Sequence, residues 1–280
     1  MDPRVLAVLG RGVVPLDLPL LRADDLGVSR GDGVFETMHV REGSAWLLGE
    51  HLSRMASSSA RLDLALPAET ALADLVAAAL GAWPSDREGT VKLVCTRGPE
   101  GEGPPTVYAL VTPIALASLT QRRAGITVVT APLGFTADAR ASAPWLLGGV
   151  KSLSYGVNMA ALRWAAGQGC DDALFVSSDG EILEGPTSSV VWLDGERLCT
   201  VSLDTGILPG LTAAYLLGHA AEAGLTGEYR RGTVDDLLDS SGAWLCSSGR
   251  GIARITELDG KPLAPAPLTD TLREILGFAL

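Results

Sequence analysis

Apolar and polar positions recur along this chain with two different periods, and the changes of period mark its elements. In "EHLSRMASSSARLDL", Leu52, Met55, Ser59 and Leu62 fall on one helical stripe, and Arg54 and Arg61, seven apart, take another face. "ETALADLVAAALGAW" predicts a second helix, closed by Pro84. "TVKLVCTRG" and "PTVYALVTP" read as strands separated by the loop "GPEGEGP". "IALASLTQRRAG", polar and ending in glycine, reads as a connection, and "ITVVTA" opens a second half as a strand. A helix is expected from about Ser152, ended by Gly167 and Gly169. Hairpins are predicted at Asp179-Gly180 and Asp194-Gly195. "LPGLTAAYLLGHAAEAG" predicts a helix whose first turn begins near Gly210, and "AWLCSSGRG" a strand running into a loop of small residues. No repeat interrupts this order. The pattern predicts two α+β halves, residues 1–115 and 125–280, joined by a connection at 116–124.

Composition narrows the class. A chain of 280 residues, 47% hydrophobic and 20% charged, is long enough and apolar enough for a large buried core. The net charge of −11 excludes binding along a nucleic-acid backbone, which runs on clustered Lys and Arg. It leaves room for a small anion held in a local cationic pocket. Cys95, Cys170, Cys199 and Cys246 are scattered with no histidine near them, so no metal site is expected, and free thiols in a reducing compartment are. "MDPRVLAVLGRG" lacks the apolar core of a signal peptide, and no apolar run reaches the ~20 residues of a membrane span. A soluble cytoplasmic protein with no membrane partner is expected.

The candidate chemistry gathers in the second half. Lys151 follows "LLGGV", a run without charge. In apolar surroundings a lysine loses proton affinity and can act as nucleophile or base. Equally, its stem can lie on apolar surface while the amine reaches water. Glu184 precedes "GPTSS", either as a solvated strand end or as an anion facing a cationic ring nitrogen. "LPGLT" sets Leu211 and Thr212 at a helix N-terminus, which serves a phosphate or a plain N-cap. "CSSGRG" offers Ser247 and Ser248 in a loose turn, and Arg54 a permanent charge. An amine, a carboxylate and a set of phosphate donors are together what pyridoxal 5'-phosphate requires of a protein.

These residues carry a resemblance. "SRGDGVFETMHV", "EHLSRM", "KSLSYGVNMAALR", "DGEILEGPTSSVVW", "LPGLT" and "SSGRGIARITELDG", in this order and spacing, resemble the class IV, or fold-type IV, pyridoxal-phosphate enzymes across nearly the whole chain. That resemblance implies an α+β two-domain fold, with a smaller N-terminal α/β sandwich and a larger barrel-like C-terminal α/β domain, and it implies a homodimer. It also implies that Lys151 bears the cofactor as a Schiff base and that Glu184 pairs with its ring nitrogen. The phosphate falls to Arg54, Leu211, Thr212 and Ser248, and the ring hydroxyl to Tyr155.

Within the family, the first half points away from the aminotransferases. Phe35 stands where D-amino-acid aminotransferases carry tyrosine, and "PEGEGPP" replaces their Arg-x-His loop. "TVKLV" lacks the Tyr-x-Arg element of branched-chain enzymes, whereas Lys92 followed by "TRG" resembles 4-amino-4-deoxychorismate lyases. Some of those lyases have an arginine where this chain has Glu102. The lyase substrate carries two carboxylates, so its pocket needs cations beyond those on the phosphate. Arg30, Lys92, Arg97 and Arg250 are the candidates, each also suited to a surface role. The expected function is a lyase yielding 4-aminobenzoate, a folate-type precursor, and pyruvate. The alternative is an aminotransferase for D-amino or branched-chain amino acids.

Overall fold

The computed structural model describes residues 4–101 and 103–278, which leaves Glu102 outside the described residues. The chain folds as two units, Met1–Ala115 with Val150–Tyr155, and Leu116–Gly149 with Gly156–Leu280.

The first unit is built on a six-stranded antiparallel sheet. Its strands are β1 (Val5–Val8), β2 (Gly12–Val14), β3 (Gly33–Arg41), β4 (Ser44–Ala45), β5 (Gly89–Thr96) and β6 (Val107–Pro113), ordered β2-β1-β6-β5-β3-β4. A short helix α1 (Leu26–Arg30) precedes β3, and α2 (Leu48–Arg61) packs on β3 while α3 (Glu69–Gly81) packs on β1 and β6. The alternation in "VFETMHV" turns Val34 and Met38 into the core with Leu52 and Met55 of α2, and leaves Phe35 and Thr37 for the opposite face. Met55 is wholly buried, so its truncation to alanine would cost about 2–5 kcal/mol.

Residues 150–155 join this unit through β3. Phe35 N–H donates to the Lys151 carbonyl (3.1 Å) and Leu153 N–H to the Gly33 carbonyl (2.9 Å). These ladder bonds hold residues 151–153 extended. The helix expected from Ser152 therefore begins only at Gly156, and Lys151 lies on a strand-like edge rather than at a helix start.

The second unit runs α4 (Leu116–Ala124), β7 (Ile126–Pro132), α5 (Ala139–Ser142), α6 (Gly156–Gly167), β8 (Asp172–Val176), β9 (Ser189–Asp194), β10 (Arg197–Val201), α7 (Leu211–Gly218), β11 (Thr226–Arg230), α8 (Val234–Leu238), β12 (Ala243–Ser247), β13 (Gly251–Leu258), β14 (Lys261–Pro262) and α9 (Thr269–Leu276). Its eight strands form an open half-barrel path, β11-β10-β9-β12-β13-β7-β8, with β14 on β13. Pairing is parallel at β10–β11, β7–β13 and β7–β8. The strands at its centre bury consecutive residues, Val190–Trp192 and Trp244–Cys246, because both faces are covered. Leu174, Ile182, Trp192, Leu245 and Ile255 share the core. The Asp179-Gly180 hairpin closes with Ser177 N–H on the Glu181 carbonyl (2.9 Å), and Gly180 takes a φ of +88° that a side chain would resist.

Segment 116–124 is not a connection. It is helix α4, packed on β13 within the second unit, and its polar look hides a buried Arg122. None of the helices among the described residues is long and apolar enough to cross a membrane, and no cluster of metal-ligating side chains occurs among those residues.

Candidate active site

In the first unit the site centres on Lys151. Its main-chain N–H donates to Ser58 Oγ (3.1 Å) and its carbonyl accepts from Phe35, so backbone bonds fix it whatever its side chain does. Nζ donates to Tyr155 Oη (3.2 Å) and lies 4.5 Å from the centroid of the Phe35 ring. Phe35 and Tyr155 meet edge to face at 5.0 Å. The Lys92 amine lies 4.7 Å from the same Phe35 centroid. The register sets Lys92 opposite Thr37 and Phe35 opposite Val94, which gives Lys92 and Phe35 one face, away from the helices. Lys92 is exposed as a residue, yet the protein packed around its amine pushes its proton affinity down.

Arg54 comes to the same unit already held. Its Nε donates to Glu36 Oε1 (2.8 Å) and its Nη2 to Oε2 (2.6 Å), while His51 Nδ1 lies 2.6 Å from Oε2. Glu36 and His51 are wholly buried. Burial alone would raise the Glu36 carboxyl, but the bonds from Arg54 and His51 win and bring it down to about 2. Burial also lowers the His51 imidazole below its ordinary value, against the pull of Glu36.

In the second unit Glu184 is no solvated strand end. Leu208 N–H donates to its Oε2 (3.1 Å) and Arg140 Nη1 to its Oε1 (3.2 Å), Arg140 being anchored in turn on the Gly206 carbonyl (3.0 Å). Gly210 is the N-cap of α7 and supplies no side-chain cap, so Thr212, the second residue of the helix, is not the cap. Thr212 is 3% exposed and its hydroxyl has no partner. Ser188 Oγ is likewise buried without a partner. A Cβ on Gly210 would stand 2.0 Å from Ser189 Oγ, so only glycine fits there without displacing that serine. Ser248 lies in the turn after β12, where Arg250 N–H donates to Ser247 Oγ (3.3 Å).

The four substrate-carboxylate candidates separate. Arg97 is spent on Asp32 (2.8 Å) and the Asp63 and Leu62 carbonyls (2.9 and 2.7 Å), as a clasp of the first unit. Arg250 is committed to Asp172 (2.7 Å) and Gln121 (3.1 Å) in the second. Arg30 forms an exposed pair with Glu100 (3.3 Å). The Lys92 amine contacts the same Phe35 ring as the Lys151 amine.

An orphaned hydroxyl and uncapped amides at a helix N-terminus of the second unit fit a phosphate, the fixed Glu184 carboxylate of that unit fits a ring nitrogen, and the Lys151 amine of the first unit fits an aldehyde. The donor set thus suits pyridoxal phosphate. The family profile described as amino-transferase class IV matches residues 33–258. The chain belongs to the class IV aminotransferase family. This is a pyridoxal-phosphate-dependent family of fold-type IV, and the two-unit α+β fold is that of its members. The chain is 41% identical over 272 residues, 94% of each chain, to a bifunctional aminodeoxychorismate lyase / D-amino acid transaminase of Mycobacterium tuberculosis. Among solved structures, it matches the PLP-bound form of a hypothetical aminotransferase from Mycobacterium tuberculosis with a TM-score of 0.94 at 39% identity, over 98% of each chain. It also matches the fold IV-transaminase CpuTA1 from Curtobacterium pusillum, with a TM-score of 0.92 at 40% identity, over 99% of this chain and 100% of that one.

Sequence reasoning missed Glu36, His51 and Arg140. For Glu36 the signal was present: an acid at a core-facing position of an alternating strand demands a partner. Arg140 carried no such signal, because its partner Glu184 lies far along the chain.

Proposed function

We infer that this class IV enzyme is an aminodeoxychorismate lyase, which converts 4-amino-4-deoxychorismate to 4-aminobenzoate and pyruvate. The observation that carries the reading is Lys92. Its amine lies over the ring that Lys151 also touches, and no carboxylate pairs with it among the described residues. A substrate carboxylate is the natural counterion. Phe35 in place of a tyrosine, and a loop without an Arg-x-His pair, support the same choice.

Pyridoxal phosphate, when bound, supplies an electron sink for the carbon bearing the substrate nitrogen. In this reading Arg54, the amides of Leu211 and Thr212, the Thr212 hydroxyl and Ser248 hold its phosphate, Glu184 its ring nitrogen and Tyr155 its ring hydroxyl. Lys151 is the general base: Nζ takes the proton from the ring carbon that bears nitrogen. The bond from the ring to the enolpyruvyl oxygen breaks, that oxygen leaves with the electron pair as the enolate of pyruvate, and a proton added to the enolate's terminal carbon completes the product. Aromatisation of the ring drives the step. Tyr155 Oη, accepting from Nζ at 3.2 Å, aims the amine.

Similarity to a protein named as both lyase and D-amino acid transaminase favours transamination as a second activity on the same Lys151. Purified enzyme given enzymatically generated aminodeoxychorismate should release fluorescent 4-aminobenzoate without any added amino donor. Failure to do so, together with bleaching of the cofactor's visible absorption by D-alanine alone, would leave the transaminase reading. We also infer a homodimer. Helix α6 exposes Val157 (64%) and Trp164 (44%), and Trp145 nearby in sequence is 75% exposed, a load of apolar surface that a second copy would cover.

A further inference from the structure

Arg122 is a buried cation that the proposed chemistry does not use. It is 2% exposed, on α4, and a guanidinium so buried is tolerated only where its N–H groups find acceptors. Two of those acceptors are the main-chain carbonyls of one turn: Nε donates to Arg250 O (2.8 Å) and Nη2 to Gly249 O (3.3 Å). This is the turn that carries Ser248. Arg122 is fixed in its own right, since its carbonyl accepts from Arg273 Nη2 (2.7 Å) and its guanidinium lies 4.7 Å from the Phe278 ring centroid. The side chain of Arg250 is drawn the same way, to Gln121 beside Arg122 and to the wholly buried Asp172.

A turn that offers hydroxyl and amide donors to a phosphate must keep its carbonyl oxygens pointed elsewhere, because they repel the anion. We propose that Arg122 is a positioning residue of the phosphate site: it pins the carbonyls of Gly249 and Arg250 behind the turn, so that Ser248 and the amides of the turn are presented to the cofactor's phosphate. Arg122 touches no reacting atom. The inference rests on the reading of Ser248 and Thr212 as phosphate donors.

The test compares pyridoxal 5'-phosphate with pyridoxal, which lacks the phosphate. Full-length protein stripped of cofactor is titrated with each, and its thermal midpoint is recorded. Arg122→Met should weaken binding of the phosphorylated form about tenfold and leave pyridoxal within about twofold. Arg122→Lys, which keeps one donor, should fall between and carries the test if the methionine variant does not fold. Equal weakening of both ligands, or a lower midpoint with both affinities intact, would show a merely structural role and overturn the proposal. Ser248→Ala and Thr212→Ala separate the two ideas. If neither changes the preference for the phosphorylated form, the phosphate reading is wrong and the proposal falls with it. If they reduce it and Arg122→Met does not, the proposal alone is wrong.

Discussion

Two residues carry the sharpest expectations. The main chain of Lys151 is bonded to Ser58 and Phe35 independently of its side chain, and its amine donates to Tyr155 beside the Phe35 ring. Lys151→Ala should therefore keep the fold, measured by circular dichroism, while losing turnover and the cofactor's visible band. A variant that kept the band would refute the assignment. Glu184 is a carboxylate clamped between a guanidinium and an amide, and a fixed negative charge favours a protonated ring nitrogen. Glu184→Gln retains shape and removes charge. Its turnover at saturating cofactor should fall by a larger factor than its affinity for pyridoxal phosphate, and the absorption band should shift. Near-normal turnover with an unchanged band would make Glu184 an ordinary structural acid.

At the scale of elements, β3 and α2 are joined by Glu36, His51 and Arg54, and this joint makes the first unit sensitive to acid. Glu36 titrates at about 2 when folded against an ordinary 4.5, so it contributes stability above pH 4.5, roughly 3 kcal/mol, that is lost as pH falls toward 2. His51 is also lowered from its ordinary 6.5, so its share is present above pH 6.5 and begins to be lost below it. Both signs agree. Thermal midpoints measured from pH 7 to pH 3 should decline, steepening below 4.5. Glu36→Gln should be less stable at pH 7 and show a flatter decline below pH 4.5, because its side chain has no proton left to take up. An undiminished slope in that variant would remove Glu36 as the source.

At the scale of the whole molecule, α6 is one of the elements that expose large apolar side chains among the described residues. Val157 and Trp164 lie seven residues apart, on one stripe, and both are exposed, while the helix buries only Ala165. A dimer that covers this stripe should come apart when it is charged. Val157→Glu with Trp164→Glu is expected to halve the mass seen by light scattering. A wild-type protein that is already monomeric, or a double variant of unchanged mass, would place any partner surface elsewhere.

What the sequence determined by itself is local. The alternation in "VFETMHV" requires a strand with one buried face, the stripe through Leu52 and Met55 requires α2, and Asp-Gly pairs followed by polar residues require tight turns, each because backbone period and turn chemistry act over a few residues. Candidates for the amine, the carboxylate and the phosphate donors could be named from the sequence for a related reason, since each sits in a short motif of its own. Tertiary structure decided which charges are free to meet a ligand. Lys151 follows the edge of β3 and not a helix because its ladder partner is Phe35. Arg97 and Arg250 are clasped because Asp32 and Asp172 reach them, and Arg122 is buried because carbonyls on a distant turn accept its N–H groups. A charged side chain reads the same in sequence whether it is solvated or clamped. Only a partner brought near by the fold settles which, because the cost of removing the charge from water is met by that partner or not at all.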